Sequence, residues 1–134
     1  MPRPIRNRKV VNPPQMSGFK PFGMPLCKLK VLELQFDEYE SINLVNYQDL
    51  QQEAAAEMMG ISRPTFTRIY NRALKKIAKA FVEGLAIQIE GGNVEFEKQW
   101  FKCQKCFKLI DGMENHIKCV GCNSFANNEL VKIN

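Results

Sequence analysis

QEAAAEMMGISRPTFTRIYNR, residues 52–72, is the stretch whose reading decides the fold. A helix-turn-helix needs a small residue where its two helices touch, and Ala55 and Ala56 stand there. It needs a tight turn four residues later, where a left-handed backbone is cheap only for glycine, and Gly60 stands there. Ser62 follows as the N-cap of a second helix. Pro64 falls in that helix's first turn, where its missing N–H costs nothing. Met59, Ile61, Phe66 and Ile69 fall where side chains would close a small core. The competing reading is an ordinary helical hairpin.

The second helix is expected from Arg63 to about Glu83, ending near Gly84. Phe66, Ile69, Tyr70, Ala73, Ile77, Ala80 and Phe81 recur at spacings of three and four and predict one apolar face. Arg68, Asn71, Arg72, Lys75, Lys76 and Lys79 fill much of the opposite side, and no acid stands between Ile61 and Val82. A cationic face beginning at the start of a recognition helix suits DNA, whose major groove admits one helix.

Charge is divided along the chain. Residues 1–30 carry seven bases and no acid, and residues 31–60 carry seven acids and no base. The net charge of +5 thus hides a basic arm, an acidic scaffold expected to face away from phosphates, and a basic recognition helix. Such a distribution favours a polyanion through counterion release; for the arm alone, the rival reading is a solubilising tail. The length of 134 residues fits one domain plus a small appendage. No apolar run approaches the roughly 20 residues that span a bilayer. MPRPIRNRKVVNPP carries cations but no apolar secretory core. A cytoplasmic location and no membrane partner are expected.

Three divisions follow: residues 1–30 as a basic arm and Pro/Gly-rich wrap, 31–93 as the helix-turn-helix domain, and 94–134 as a metal-binding ribbon. In the wrap, Phe19 and Phe22 are expected as surface anchors. Leu32, Leu34 and Phe36 alternate with polar residues and predict a strand over 31–36. Residues 85–90 alternate again and are expected to pair with it. Asp37 and Glu40 read as a capping box for a helix to about Asn46, and Asp49 as the cap of the next helix.

Cys103-x-x-Cys106 and Cys119-x-x-Cys122 are two CxxC pairs separated by twelve residues. Two such knuckles can converge on one tetrahedral four-thiolate site. In the cytoplasm this pattern reads as metal rather than disulfides. Zinc is the first choice and rubredoxin-like iron the second. Four protein ligands leave no open position for catalytic water, so the site reads as structural. His116 and Cys27 stand outside the set.

These residues together resemble the domain of unknown function 134 family of bacteria and archaea. The likeness rests on PRP at 2–4, FKPFGMPL at 19–26, LQFDEYE at 34–40, MMGISRPTFTRI at 58–69 and IEGG at 89–92. It covers about residues 1–96. The chain departs from the family's frequent pattern at Asn43, at Leu74 and in the second knuckle, CVGCNS. The resemblance implies a DNA-binding helix-turn-helix similar to region 4 of sigma-70 factors, in some members with a CxxC…CxxC tail.

The expected fold is mainly α with a small β component, a helix-turn-helix domain plus a C-terminal zinc ribbon. The expected function is sequence-specific double-stranded DNA binding in transcription regulation, and not an enzyme: no acid/base pair, oriented nucleophile or phosphate loop is present. Arg63, Thr67, Arg68 and Asn71 are expected at base edges, and Thr65, Arg72, Lys75 and Lys76 at phosphates. Arg3, Arg6, Arg8 and Lys9 are expected along the backbone or in a minor groove. A homodimer is compatible with paired half-sites. Two alternatives stand beside this reading: an adaptor docking on RNA polymerase, and an iron redox protein using the four-cysteine site.

Overall fold

The computed structural model describes residues 7–96, 100–103, 109–111 and 130–132. The chain divides into two compact units, Met1–Val10 with Ser17–Val94, and Val11–Met16 with Glu95–Asn134.

The first unit is built on a parallel strand pair. β3 (Val31–Leu34) runs parallel to β4 (Ala86–Ile89), with Leu32 opposite Ile87 and Leu34 opposite Ile89. That is the pairing expected from the two alternating segments. A parallel pair cannot be closed by a hairpin and needs a long crossover. Here the crossover holds α1 (Phe36–Ile42), α2 (Gln52–Met59) and α3 (Arg63–Glu83). β2 (Gly18–Phe19) completes the sheet antiparallel to β4, giving the order β2-β4-β3. A Cβ on Gly18 would stand 1.8 Å from the Ile87 carbonyl oxygen, so only glycine lets the strands meet there. β1 (Arg8–Val10) packs against α1 and α2. β5 (Val94–Phe96) follows the turn at Gly91 and Gly92.

The core of this unit is Leu44, Ala55, Ala56, Met59 and Phe66, with Val45, Leu50, Ile61 and Tyr70 packed against it. The small side chains of Ala55 and Ala56 let α2 approach α3. A single π turn, Asn43–Tyr47, continues α1 and carries Leu44 inward. Gln48 N–H donates to the Asn43 carbonyl at 2.9 Å, the five-residue reach of that turn.

Four local expectations are corrected. The cap of α1 is Gln35, whose backbone N–H donates to Glu38 Oε1 at 2.8 Å. Asp37 lies inside the helix and Glu40 is buried, so the capping box, Gln35 with Glu38, falls two residues earlier than the D-x-x-E spacing suggested. The cap of α2 is Gln51, while Asp49 takes a left-handed conformation (φ 59°) in the preceding loop. Its short polar side chain tolerates that backbone, which removes it from the cap. Phe22 is fully exposed and Phe19 more than half exposed, so neither anchors the wrap. Of α3's expected apolar face, Phe66, Ile69, Ala73 and Ala80 are buried, but Phe81 is 88% exposed.

In the second unit β6 (Trp100–Cys103) pairs antiparallel with β7 (Leu109–Asp111) and β8 (Leu130–Lys132), in the order β7-β6-β8. The fold is therefore mixed helix and strand. No helix among the described residues is long and apolar enough to cross a membrane.

Candidate nucleic-acid interface

The helix that carries the candidate residues is set by local chemistry at both ends. Gly60 closes α2 in a left-handed conformation (φ 69°), and its N–H donates to the Glu57 carbonyl at 3.0 Å. Ser62 caps α3, accepting from the Thr65 N–H at 3.4 Å, and Pro64 occupies the first turn. Gly84 ends α3, again left-handed (φ 71°). α3 is 21 residues long, roughly 31 Å at 1.5 Å per residue.

From Arg63 to Lys75 it presents polar groups. Arg63, Arg68, Asn71 and Lys75 are exposed. Arg68 Nη2 donates to Thr65 Oγ1 at 3.4 Å, and Ser62 Oγ donates to the same oxygen at 2.9 Å. Thr67 is half-buried, and its hydroxyl donates to Gln52 Oε1 on α2 at 2.7 Å. Thr67 thus braces the two helices. Tyr70 stacks on Phe66 with ring centroids 6.0 Å apart, and its hydroxyl donates to Asn46 Oδ1 at 2.7 Å.

Two of the cations expected at phosphates are paired with a carboxylate inside the protein. Arg72 Nε donates to Glu38 Oε2 at 2.8 Å, and Lys76 Nζ donates to Glu38 Oε1 at 2.7 Å and to the Glu33 carbonyl at 3.0 Å. Glu38 is fully buried, whereas the Arg72 side chain remains half exposed. Burial pushes the Glu38 pKa up, but hydrogen bonds from Lys76, the Gln35 N–H and Arg72 outweigh it and hold the group below its ordinary value. One carboxylate therefore fixes two cations of α3 and clamps α1 against that helix. Sequence reasoning missed Glu38. The available signal was the Arg72/Lys76 pair four residues apart, beside the apolar stripe, where cations border a buried face.

The rest of the acidic scaffold is also turned partly inward. Asp37, Glu38 and Glu40 are buried. Burial raises the Asp37 pKa, opposed by the Glu38 N–H and by Arg8. Burial likewise raises Glu40; its Oε1 accepts from Asn43 Nδ2 at 3.1 Å, while Oε2 has no hydrogen-bond partner among the described residues. Glu53 and Glu57 of α2 are exposed.

Of the basic arm, Arg8 is half-buried with Nε 3.8 Å from Asp37 Oδ2. Lys9 is exposed, and its methylenes lie 3.6–3.8 Å from where a Cβ on Gly60 would stand. The arm therefore passes over the turn between α2 and α3. Arg3 and Arg6 lie outside the described residues. Cys106, Cys119, Cys122 and His116 do as well; the backbone of Cys103 is described, as the last residue of β6. Cys27 is exposed.

Comparison with known proteins places the chain among close relatives. The family model described as "Protein of unknown function DUF134" matches residues 1–97. A UPF0251 protein of Chloroherpeton thalassium is 41% identical over 126 residues, covering 92% of this chain and 83% of its own. A UPF0251 protein of Desulforudis audaxviator is 45% identical over 106 residues, 79% of this chain and 69% of its own. One from Methanothermobacter thermautotrophicus is 39% identical over 125 residues, 92% of this chain and 65% of its own. No solved structure matches significantly.

Proposed function

The chain belongs to the DUF134 family of proteins of unknown function, and from that premise we propose that it is a sequence-specific double-stranded DNA-binding protein acting in transcription regulation. The observation that carries this reading is the exposed face of α3. Arg63, Arg68, Asn71 and Lys75 project from a helix that starts at a left-handed turn and a serine cap, with no acid from Ile61 to Val82. α2 and α3 act as a helix-turn-helix, and α3 enters the major groove.

The roles divide by partner. Among the described residues Arg63, Arg68 and Asn71 have no partner in the buried core, and they are assigned to base edges, arginine to guanine O6/N7 and asparagine to adenine N6/N7. Lys75 and Lys9 are assigned to phosphates, with Arg3 and Arg6 extending the arm. Thr65 supports Arg68, and Thr67 sets the angle of α3 against α2. Arg72 meets phosphate with its exposed edge while Glu38 holds Nε. Lys76 and Arg8 serve the fold first, because Glu38 and Asp37 hold them.

The donor set Cys103, Cys106, Cys119 and Cys122 suits zinc, which favours tetrahedral thiolate sites. The first CxxC pair begins at the last residue of β6, and its second cysteine falls in sequence between β6 and β7. Zinc there would help fold a segment too short to bury a large core of its own. Elemental analysis is expected to find one zinc per chain, lost in Cys103→Ser.

Fluorescence anisotropy with labelled duplexes over a range of salt tests the function. The expected result is binding whose logarithm falls linearly with the logarithm of salt, with a slope about one unit shallower in Lys75→Ala. Salt-independent association, or none with any duplex, contradicts the proposal.

A further inference from the structure

The outward side of α3 begins with a residue that cannot hydrogen-bond through its side chain. Pro64, Arg68, Asn71 and Lys75 follow one another at spacings of four, three and four. At about 100° per residue they fall within about 60° of arc, on one line down the helix. All four are exposed. Pro64 stands first, as the second residue of α3 and one turn before Arg68. Its neighbours do not compete for that place. Arg63 lies about 100° around the helix from it, and Phe66 is in the core. The Thr65 hydroxyl oxygen accepts from Ser62 Oγ at 2.9 Å and from Arg68 Nη2 at 3.4 Å. The Thr67 hydroxyl donates to Gln52 at 2.7 Å.

A recognition helix meets base edges with its N-terminal residues, which sets Pro64 against a base edge. Its ring is three methylenes, and its nitrogen has no hydrogen to donate. Against guanine, cytosine or adenine the ring would cover a donor or acceptor and leave it unpaired, which costs free energy. The apolar group on the major-groove edge is the C5-methyl of thymine. A cytosine methylated at the same carbon presents the same group. Resting on the DNA reading of α3, we propose that Pro64 is a specificity-determining residue that packs on the 5-methyl group of a pyrimidine, thymine or 5-methylcytosine. Pro64 and Arg68 are four residues, about 6 Å, apart along α3. The methylated pyrimidine therefore lies within about two base pairs of the one that Arg68 reads, since bases rise about 3.4 Å per step. A proline that served only to start the helix would stabilise the protein equally on every sequence.

The test exchanges single atoms groups in the DNA, using the zinc-loaded chain and a duplex that it selects. Each thymine is replaced in turn by deoxyuridine, which removes one methyl, and each cytosine by 5-methylcytosine, which adds one. Affinity is read by fluorescence anisotropy. One covered methyl corresponds to about fourfold in affinity. The expected result is a loss of that size at one thymine for each bound α3, or a gain of that size at one cytosine. The first names thymine as the source of the methyl, the second 5-methylcytosine. Pro64→Ser is expected to abolish the methyl effect at that position, and Arg68→Ala to leave it. Should Pro64→Ser fail to fold, the distance between the methyl effect and the base pair whose preference is lost in Arg68→Ala decides: more than about two base pairs overturns the proposal. Sequence-selective binding that is indifferent to methyl groups at every position overturns it while the DNA reading stands, and so does a methyl effect that persists in Pro64→Ser. A chain with no sequence preference overturns both.

Discussion

Arg68 and Glu38 show how differently two charged residues serve this molecule. Arg68 is exposed and, among the described residues, hydrogen-bonded only to Thr65 one turn earlier, so its guanidinium can turn toward a base edge. Arg68→Ala is expected to cost about 1–3 kcal/mol in binding its best site and to relax preference at one base position, as read by competition between duplexes. A uniform loss on all duplexes would remove it from base readout. Glu38 is buried and carries two cations. Glu38→Ala should destabilise by about 2–4 kcal/mol in chemical denaturation, since it leaves cations unpaired and opens a void between α1 and α3. The three buried acids of α1 also set a pH dependence. The Glu38 pKa is held down, so its stabilisation is present above its ordinary value and lost as pH falls through the folded value. Asp37 and Glu40 are raised, so their ionised forms cost stability at neutral pH, and that cost is relieved as pH falls through the raised values. Tm is therefore expected to peak on the acid side of neutral. Glu40→Gln should add about 1 kcal/mol at neutral pH, by removing a buried charge with an unpaired oxygen, with the gain fading on acidification. A Tm that falls steadily from neutral pH downward would contradict this.

At the scale of elements, α2, the turn and α3 are the most legible in the sequence, because backbone chemistry punctuates them. Gly60 and Gly84 take the left-handed conformations that end their helices, and Ser62 and Pro64 start α3. Gly60→Ala is expected to cost about 1 kcal/mol in stability, and Ser62→Ala about 0.5–1 kcal/mol given the long 3.4 Å cap bond. Thermal melts of the two variants check both. The pairing of β3 with β4 is legible from alternation, but its parallel sense follows from the helical crossover that separates them. The caps of α1 and α2 mislead because Asp37 and Asp49 are good caps in isolation. Tertiary context overrides that preference: Glu38 is drawn into the ion pairs with Arg72 and Lys76, and Asp49 takes a left-handed loop position. The inward turn of Arg8, Arg72 and Lys76 is equally hidden, since each finds a partner at least 29 residues away in sequence. The exposure of Phe81 is hidden too, because periodicity does not say which of two apolar stripes meets the core.

At the scale of the molecule, charge and chemistry are segregated. The exposed cations of α3 and the arm residue Lys9 near Gly60 are assigned to a polyanion, while the acids of α1 are withdrawn into the protein. The CxxC pairs belong to the second unit and are assigned a structural role, so chelation should unfold the C-terminal region while leaving the helical signal of α1, α2 and α3 in place. The central claim is that α3 reads sequence. Selection of bound duplexes from a random DNA library, with the zinc-loaded chain at moderate salt and Arg63→Ala/Arg68→Ala as control, tests it most directly. The expected result is an enriched motif that disappears in the control, with two symmetric half-sites if the chain binds as a dimer. Salt-sensitive binding without any enriched motif, or a motif unchanged in the control, would contradict it.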